Sequence, residues 1–133
     1  MFFFPFQTKI IEEGEIFVPV VKLELKTIKG FWPFEMLLDS GADVTTLSLN
    51  SLASYFPDFQ KDSATKTVIG GIEGKGVVAY PYTLLARIEK IDFKMRCYFI
   101  ESNVDSLLGR LDFWSLFSIS FNNKKKQTSL ELI

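Results

Sequence analysis

The chain has 133 residues, the length of a single domain that can bury a substantial core. Hydrophobic residues make up 47% and charged residues 23%, an ordinary globular composition that excludes a disordered chain. The 15 basic and 16 acidic residues leave a net charge of −1, which predicts no nucleic-acid partner and no attraction to an anionic membrane. Histidine is absent, which excludes catalytic triads and zinc sites built on imidazole, and we expect no metal or other cofactor.

Residues 1–17 are interpreted as an N-terminal arm that precedes a domain over residues 18–133. The arm begins with a phenylalanine-rich stretch, Met1–Phe6. Charged residues at Lys9 and Glu12 arrive too early for the apolar core of a signal peptide. No segment of the chain is long enough to insert into a bilayer. We therefore expect the arm to pack against another protein surface, and it is a candidate for a strand at a subunit interface.

The first half of the domain predicts short strands joined by turns. Apolar residues from Val21 to Leu25 alternate with charged ones, and this period of two is typical of a half-buried strand. The short apolar run Glu35–Leu38 leads directly into a turn at Asp39. A short helix is predicted over Asn50–Phe56, and it ends there because Pro57 cannot comfortably continue it.

The second half predicts two hairpins. Apolar residues alternate from Tyr80 to Ile88, and Ile91–Ile100 is the partner strand across a Glu89-Lys90 turn. Cys97 lies in this partner strand, so we expect a buried thiol. A single cysteine forms no internal disulfide, which fits a reducing, cytoplasmic compartment.

The last segments complete the prediction of fold class. A buried helix is predicted over Leu111–Phe117, after Gly109. Alternating strands on either side of the polar turn 122–127 then close the domain as a hairpin. The result is a mostly-β single domain, consistent with a closed barrel.

The strongest candidate site is the run Leu37-Leu38-Asp39-Ser40-Gly41-Ala42-Asp43. Gly41 permits a tight backbone path, and the hydroxyl of Ser40 can orient a neighbouring backbone or carboxylate group. Asp39 is thereby held at a strand end, where it could face a cleft. The residues alone equally allow an Asp-Ser-Gly turn without a function.

The run Ile69–Gly76 is rich in glycine and flanked by β-branched residues, a pattern typical of a flexible hairpin tip such as a lid over a cleft. It is not a Walker phosphate loop, because Gly76 follows Lys75 where serine or threonine is required. The run Gly74–Ala79 formally fits a dinucleotide fingerprint, but the residues after it predict a strand where a helix should open.

The third element is Leu107-Leu108-Gly109-Arg110. An arginine at a helix start is unfavourable unless a carboxylate neutralises it, and Asp43 is a natural partner for a two-pronged contact with Arg110. The alternative is a surface arginine whose stem covers the core. Asp112 is interpreted either as a stabiliser of the same helix start or as an exposed side chain.

In this order the three elements resemble the retroviral-type (retropepsin-like) aspartic proteases, a family of viral enzymes and cellular relatives. Residues 37–43 are similar to the catalytic signature of an aspartate, threonine or serine, glycine and alanine. Residues 69–76 are similar to the flap, and residues 107–110 to the second motif of two hydrophobic residues, glycine and arginine. The resemblance runs from about Val18 to the C-terminus and implies a single-domain closed β-barrel with one short C-terminal helix.

The resemblance implies an aspartic endopeptidase that cleaves a peptide or polyprotein as a homodimer. Because the signature occurs once, each chain holds half a site, and a two-fold axis sets Asp39 opposite its twin. The implied catalytic residues are Asp39, Ser40 and Gly41. The implied substrate-binding residues are Ala42, Asp43, Gly70, Gly71 and Ile72. Asp43 and Arg110 are expected to support the catalytic loop.

Two other interpretations stay open. One is a catalytically silent dimeric module with the same fold that binds peptides or serves as a scaffold. The other is a monomeric β-domain in which the Asp39 run is only a turn. The chain also departs from the family pattern: Ser40 replaces the commoner threonine, Val44 stands where some viral members have a second acid, and neither the arm nor the last hairpin matches the short viral interface strands.

Overall fold

The computed structural model describes residues 1–60, 66–69, 76–101 and 105–133. The described residues form strands with one short helix, α1, at Leu49–Leu52 and one 3₁₀ turn at Ala53–Tyr55. The strands are β1 Phe2–Pro5, β2 Gln7–Ile11, β3 Gly14–Val18, β4 Val20–Thr27, β5 Gly30–Leu38, β6 Thr45–Ser48, β7 Thr67–Ile69, β8 Val77–Ile88, β9 Ile91–Ile100, β10 Leu107–Leu108, β11 Phe117–Asn122 and β12 Gln127–Leu132.

Six strands close into a barrel in the order β4-β5-β10-β6-β9-β8, because β8 also pairs with β4. The long hairpin β8–β9 forms one wall, with its turn at Glu89 and Lys90. The predicted mostly-β closed barrel is therefore confirmed. Closure through β4 and β8 makes the barrel a platform for the loops at its rim.

The alternation read from the sequence sets the barrel's inside and outside. In β4, Val21, Leu23 and Leu25 are buried, while Lys22 and Lys26 are exposed. The predicted hairpins at residues 80–100 and 117–132 are likewise present. Cys97 is buried as predicted, and this burial raises the pKa of its thiol to about 12.

The helices differ from the sequence prediction. The helix predicted over Asn50–Phe56 is divided into α1 and the 3₁₀ turn. The C-terminal helix predicted over Leu111–Phe117 is wrong, since residues 111–116 form successive turns and Phe117 begins β11. The reason is Asp112, whose φ of 68° is left-handed and interrupts a right-handed helical path. The one short helix thus lies in mid-chain.

The N-terminal arm consists of two separate elements. Strand β1 adds to the last hairpin in a three-stranded sheet of order β1-β12-β11, and Phe2 and Phe4 pack against the core. Strands β2 and β3 pair only with each other in the described part of the chain. The arm therefore joins the chain's own last strand, and the boundary between residues 17 and 18 stays a prediction.

A cluster of buried rings joins the terminal sheet to the barrel. Phe113 lies between Phe93 on β9 and Phe117 on β11, with ring centroids 6.2 Å and 5.1 Å away. Both Phe113 and Phe117 are almost completely buried. The turns after β10 are thus fastened to the core by one aromatic side chain.

Phe113→Ala should lower the free energy of unfolding by about 3–5 kcal/mol, because it opens a cavity at this junction. Urea denaturation at fixed protein concentration measures the loss. Phe121→Ala is the matched control, since 48% of the Phe121 surface is exposed and its removal leaves a smaller cavity. Equal losses from the two variants would show that the ring cluster does not fasten the segment.

Candidate active site

The insertion of β10 into the barrel sets the geometry of the site. β10 lies parallel to β5, with Leu108 opposite Leu38, and antiparallel to β6, with Leu107 opposite Thr46. The loop that leaves β5 and the segment that leaves β10 therefore emerge at the same rim. This arrangement brings together two runs that the sequence analysis singled out separately.

Backbone hydrogen bonds fix the loop that carries Asp39. The Asp39 N–H donates to the carbonyl of Leu108 at 3.1 Å, and the Ala42 N–H donates to the carbonyl of Asp39 at 3.1 Å. The Gly41 N–H donates to Oδ1 of Asp39 at 2.9 Å. The half-buried carboxylate is thus oriented through one oxygen, while Oδ2 has no hydrogen-bond partner among the described residues.

Gly109 makes the closest approach in the site. A Cβ atom at Gly109 would lie 2.4 Å from the carbonyl carbon of Val44, so no larger residue fits without moving the backbone. The Gly109 N–H donates to Oγ1 of Thr45 at 3.0 Å, and this buried hydroxyl in turn contacts Sδ of Met95 at 3.6 Å. Thr45 and Met95 were missed by the sequence analysis, because Thr45 lies in a strand with two other hydroxyl residues and does not stand out from them.

The segment after Gly109 is bonded to the Asp39 loop. The N–H groups of Arg110 and Leu111 donate to the carbonyls of Ala42 and Asp43, at 3.0 Å and 2.8 Å. Nη2 of Arg110 also contacts Oδ1 of Asp43, a single contact where the sequence suggested two. Because the Asp43 side chain is 81% exposed, solvent weakens this ion pair, and the two backbone bonds are the firmer connection.

A second ion pair holds the same segment from the other side. Nε and Nη2 of Arg96 donate to Oδ2 and Oδ1 of Asp112 at 3.0 Å and 2.9 Å, and the Arg96 backbone N–H adds a bond of 2.8 Å to Oδ2. The side-chain hydrogen bonds from Arg96 lower the pKa of the Asp112 carboxyl below its usual range. Both earlier interpretations of Asp112 are wrong, because its carboxylate is a bidentate partner for a neighbouring strand.

An open groove borders the loop. One part, of about 510 Å³, is lined by the two ion pairs together with Leu111 and Ser115. An adjoining part of about 510 Å³ runs along β8 and β9 and shares Arg96 and Leu111. Charged groups thus line the end of the groove near Asp43, while side chains of the hairpin line the rest.

The described residues contain neither a metal-ligand cluster nor a membrane-spanning helix. No group of three histidine, cysteine, aspartate or glutamate side chains in those residues could hold a metal ion. No helix in the same residues has the length and apolar character needed to cross a membrane.

Comparison with known proteins identifies the family. The model of the family described as retroviral aspartyl protease matches residues 18–115. The chain belongs to this family. The resemblance read from the sequence is therefore confirmed, and the match includes both the Asp39 loop and Arg110.

Solved structures of retroviral-type proteases share the fold. A retropepsin-like aspartic protease from Rickettsia conorii has a TM-score of 0.60 and 18% identity, with 96% of this chain and 95% of that chain covered. The EIAV protease in complex with the inhibitor HBY-793 has a TM-score of 0.53 and 22% identity, with 70% of this chain and 82% of that chain covered. No curated protein matches the chain.

The structure brings together part of the site expected for this family. Residues 39–43 and Arg110 lie at one rim of the barrel. Gly70, Gly71 and Ile72, assigned to the flap, lie outside the described residues. The strands that flank them are described, and β7 pairs antiparallel with the start of β8.

Thr45→Val should lower the free energy of unfolding by about 1–3 kcal/mol, because it leaves the buried N–H of Gly109 without an acceptor. Thr46→Val is the matched control, since Oγ1 of Thr46 is buried and has no hydrogen-bond partner among the described residues. Removing that hydroxyl should be neutral or stabilising. Chemical denaturation of both variants tests this, and similar losses would contradict a specific role for Thr45.

Asp112→Asn should flatten the acid limb of the stability curve, which is the fall in the free energy of unfolding as the pH becomes acidic. A carboxyl group whose pKa is lowered by folding stabilises the protein above its ordinary value of about 3.9, and this stabilisation disappears as the pH falls through the lower, folded-state value. Unfolding free energies measured between about pH 5 and pH 2 should therefore fall less steeply in the variant.

The arginine partner supplies the control for this measurement. Arg96→Gln should flatten the same limb, because its side chain is the main cause of the lowered pKa of Asp112. The double variant should add no further flattening. A variant that keeps the wild-type slope would rule out the ion pair as a source of the acid sensitivity.

Proposed function

We propose that the chain is an aspartic endopeptidase whose active site forms between two identical copies, each of which supplies Asp39. What supports the proposal is the state of the Asp39 carboxylate in a chain of this family. One of its oxygens accepts a hydrogen bond from the Gly41 N–H, and the other is unbonded among the described residues. The sequence contains the catalytic run once, so one chain has one such carboxylate and the chemistry needs two.

The two carboxylates share a single proton, because like charges at that distance cannot both ionise easily. The ionised member accepts a proton from a water molecule while the resulting hydroxide attacks the peptide carbonyl carbon. The protonated member donates its proton to the carbonyl oxygen, giving a neutral tetrahedral diol. As the diol collapses, the carboxyl that took a proton from water donates it to the amine nitrogen, the C–N bond breaks, and the other carboxylate accepts a proton from a diol hydroxyl. No acyl-enzyme forms.

The neighbouring residues take supporting roles in this proposal. The exposed Ser40 hydroxyl braces the two loops across the axis, and Gly41 and Ala42 keep the floor of the site narrow. Asp43 faces the peptide beside the charged end of the groove, while Arg110 holds the loop through the bonds described above. Gly70, Gly71 and Ile72 close over an extended peptide and pair with its backbone.

A mixing experiment tests the shared site. Asp39→Asn should abolish cleavage of a peptide library and should also inactivate each wild-type chain with which it forms a dimer. At concentrations well above the dimer dissociation constant, an equal mixture should show about half of the activity that the same amount of wild-type chain has alone. Random pairing leaves half of the wild-type chains in homodimers.

Asp58→Asn is the matched control, since Asp58 is exposed and lies in the turn that follows the 3₁₀ segment, outside the Asp39 loop. Mixing it with the wild-type chain should leave the activity per chain unchanged. Activity that stays unaffected by added Asp39→Asn chains would contradict a site shared between copies. If the wild-type dimer cuts no peptide, the assignment of peptidase activity fails.

A further inference from the structure

The hairpin β2–β3 leaves apolar side chains uncovered on both of its faces. Ile10 and Phe17 lie on one face and are 82% and 48% exposed. Ile11 and Ile16 lie on the other face and are 36% and 40% exposed. A two-stranded hairpin is marginally stable in water by itself, so apolar residues on both faces indicate that other surface covers it.

The base of the hairpin lies close to the end of β5 that carries Asp39. The Phe6 N–H donates to the carbonyl of Lys126 at 2.8 Å, and Nζ of Lys126 lies 4.7 Å from the centre of the Phe17 ring. A depression of about 180 Å³ is shared by Gln7 and Val18 of the hairpin and by Leu37, two residues before Asp39. The hairpin thus stands at the side where a second copy is required.

The charges on this part of the chain are complementary. Glu12 and Glu13 form the tip of the hairpin, and neither makes an ion pair within the described residues. Lys124 and Lys125 lie at the tip of the β11–β12 turn, beside the base of the hairpin. A five-residue strand spans about 17 Å, so the acidic tip projects well away from the lysines near its own base. If the acidic tip of one copy contacts the basic turn of the other in a two-fold dimer, the symmetry repeats that contact, so it occurs twice.

We propose that the hairpin β2–β3 acts as an arm that holds a second copy of this chain, with its Ile10 and Phe17 face against the partner and its acidic tip at the partner's basic turn. The inference rests on the proposed function, which requires the second copy at this rim. A stable interface buries about 800 Å² on each partner, and the arm supplies apolar surface for it in addition to the Asp39 loop.

The first test measures dimerisation directly. Ile10→Asp should raise the dimer dissociation constant about tenfold or more in sedimentation equilibrium, because it sets a charge in the apolar contact. Ile28→Asp is the matched control: Ile28 is 62% exposed in the β4–β5 turn and should leave dimerisation unchanged. Equal dissociation constants for wild type and Ile10→Asp would overturn the inference.

The second test exchanges the charges. The variant Glu12→Lys/Glu13→Lys and the variant Lys124→Glu/Lys125→Glu should each dimerise poorly, since every tip-to-turn contact becomes repulsive. An equimolar mixture of the two should form heterodimers, because both contacts in that pair are attractive. Failure of the mixture to dimerise more tightly than either variant would overturn the proposed contact.

Both tests can distinguish a failure of the proposed arm contact from a failure of the proposed peptidase activity. Repeating them in the Asp39→Asn background should give the same ratio of arm-variant to parent dissociation constants, since that change removes chemistry and keeps the arm. If the arm variants dissociate while the wild-type dimer cuts no peptide, the arm is supported and the peptidase assignment fails. If the arm variants stay dimeric and cut normally, the arm is overturned and the peptidase assignment stands.

Discussion

The site depends on the close packing of Gly109 against the backbone of Val44. Only a residue without a side chain lets β10 lie between β5 and β6, and this insertion sets the Asp39 loop beside the segment that follows Gly109. The buried Thr45 hydroxyl then accepts the N–H that the insertion would leave unpaired. The position and hydrogen bonding of the Asp39 loop thus follow from one steric constraint and its compensation.

Local patterns predicted the strands and the loop but not the contacts between distant segments. Alternation revealed β4, β8, β9 and the last hairpin, because a period of two follows from burial on one face of a sheet. The apolar residues from Leu111 to Phe117 suggested a helix, yet Asp112 adopts a left-handed conformation and binds Arg96, which lies on a strand 16 positions earlier. That partner, like the bond from Gly109 to Thr45, is set by tertiary packing and has no local signature.

Rigidity and exposure are divided along the chain in a way that would suit the proposed site between two copies. The Asp39 loop is fixed by backbone hydrogen bonds to the segment after β10, and the fully buried ring of Phe113 anchors that segment to the core. The polar groups that face outward, including Ser40 and Asp43, are exposed. A preformed loop loses little conformational freedom on association, so more of the interface energy is available to hold two copies together.

The pairing of β1 with β12 has a consequence for the order in which the molecule folds. Residues 2–5 pair with residues 127–130, so this sheet joins segments separated by almost the whole chain. Contacts of such long range form late, since closing a long loop is entropically costly before any contact compensates for it. During synthesis the first strand must wait for the last one to leave the ribosome. A nascent chain therefore lacks its finished terminal sheet until β12 has been synthesised.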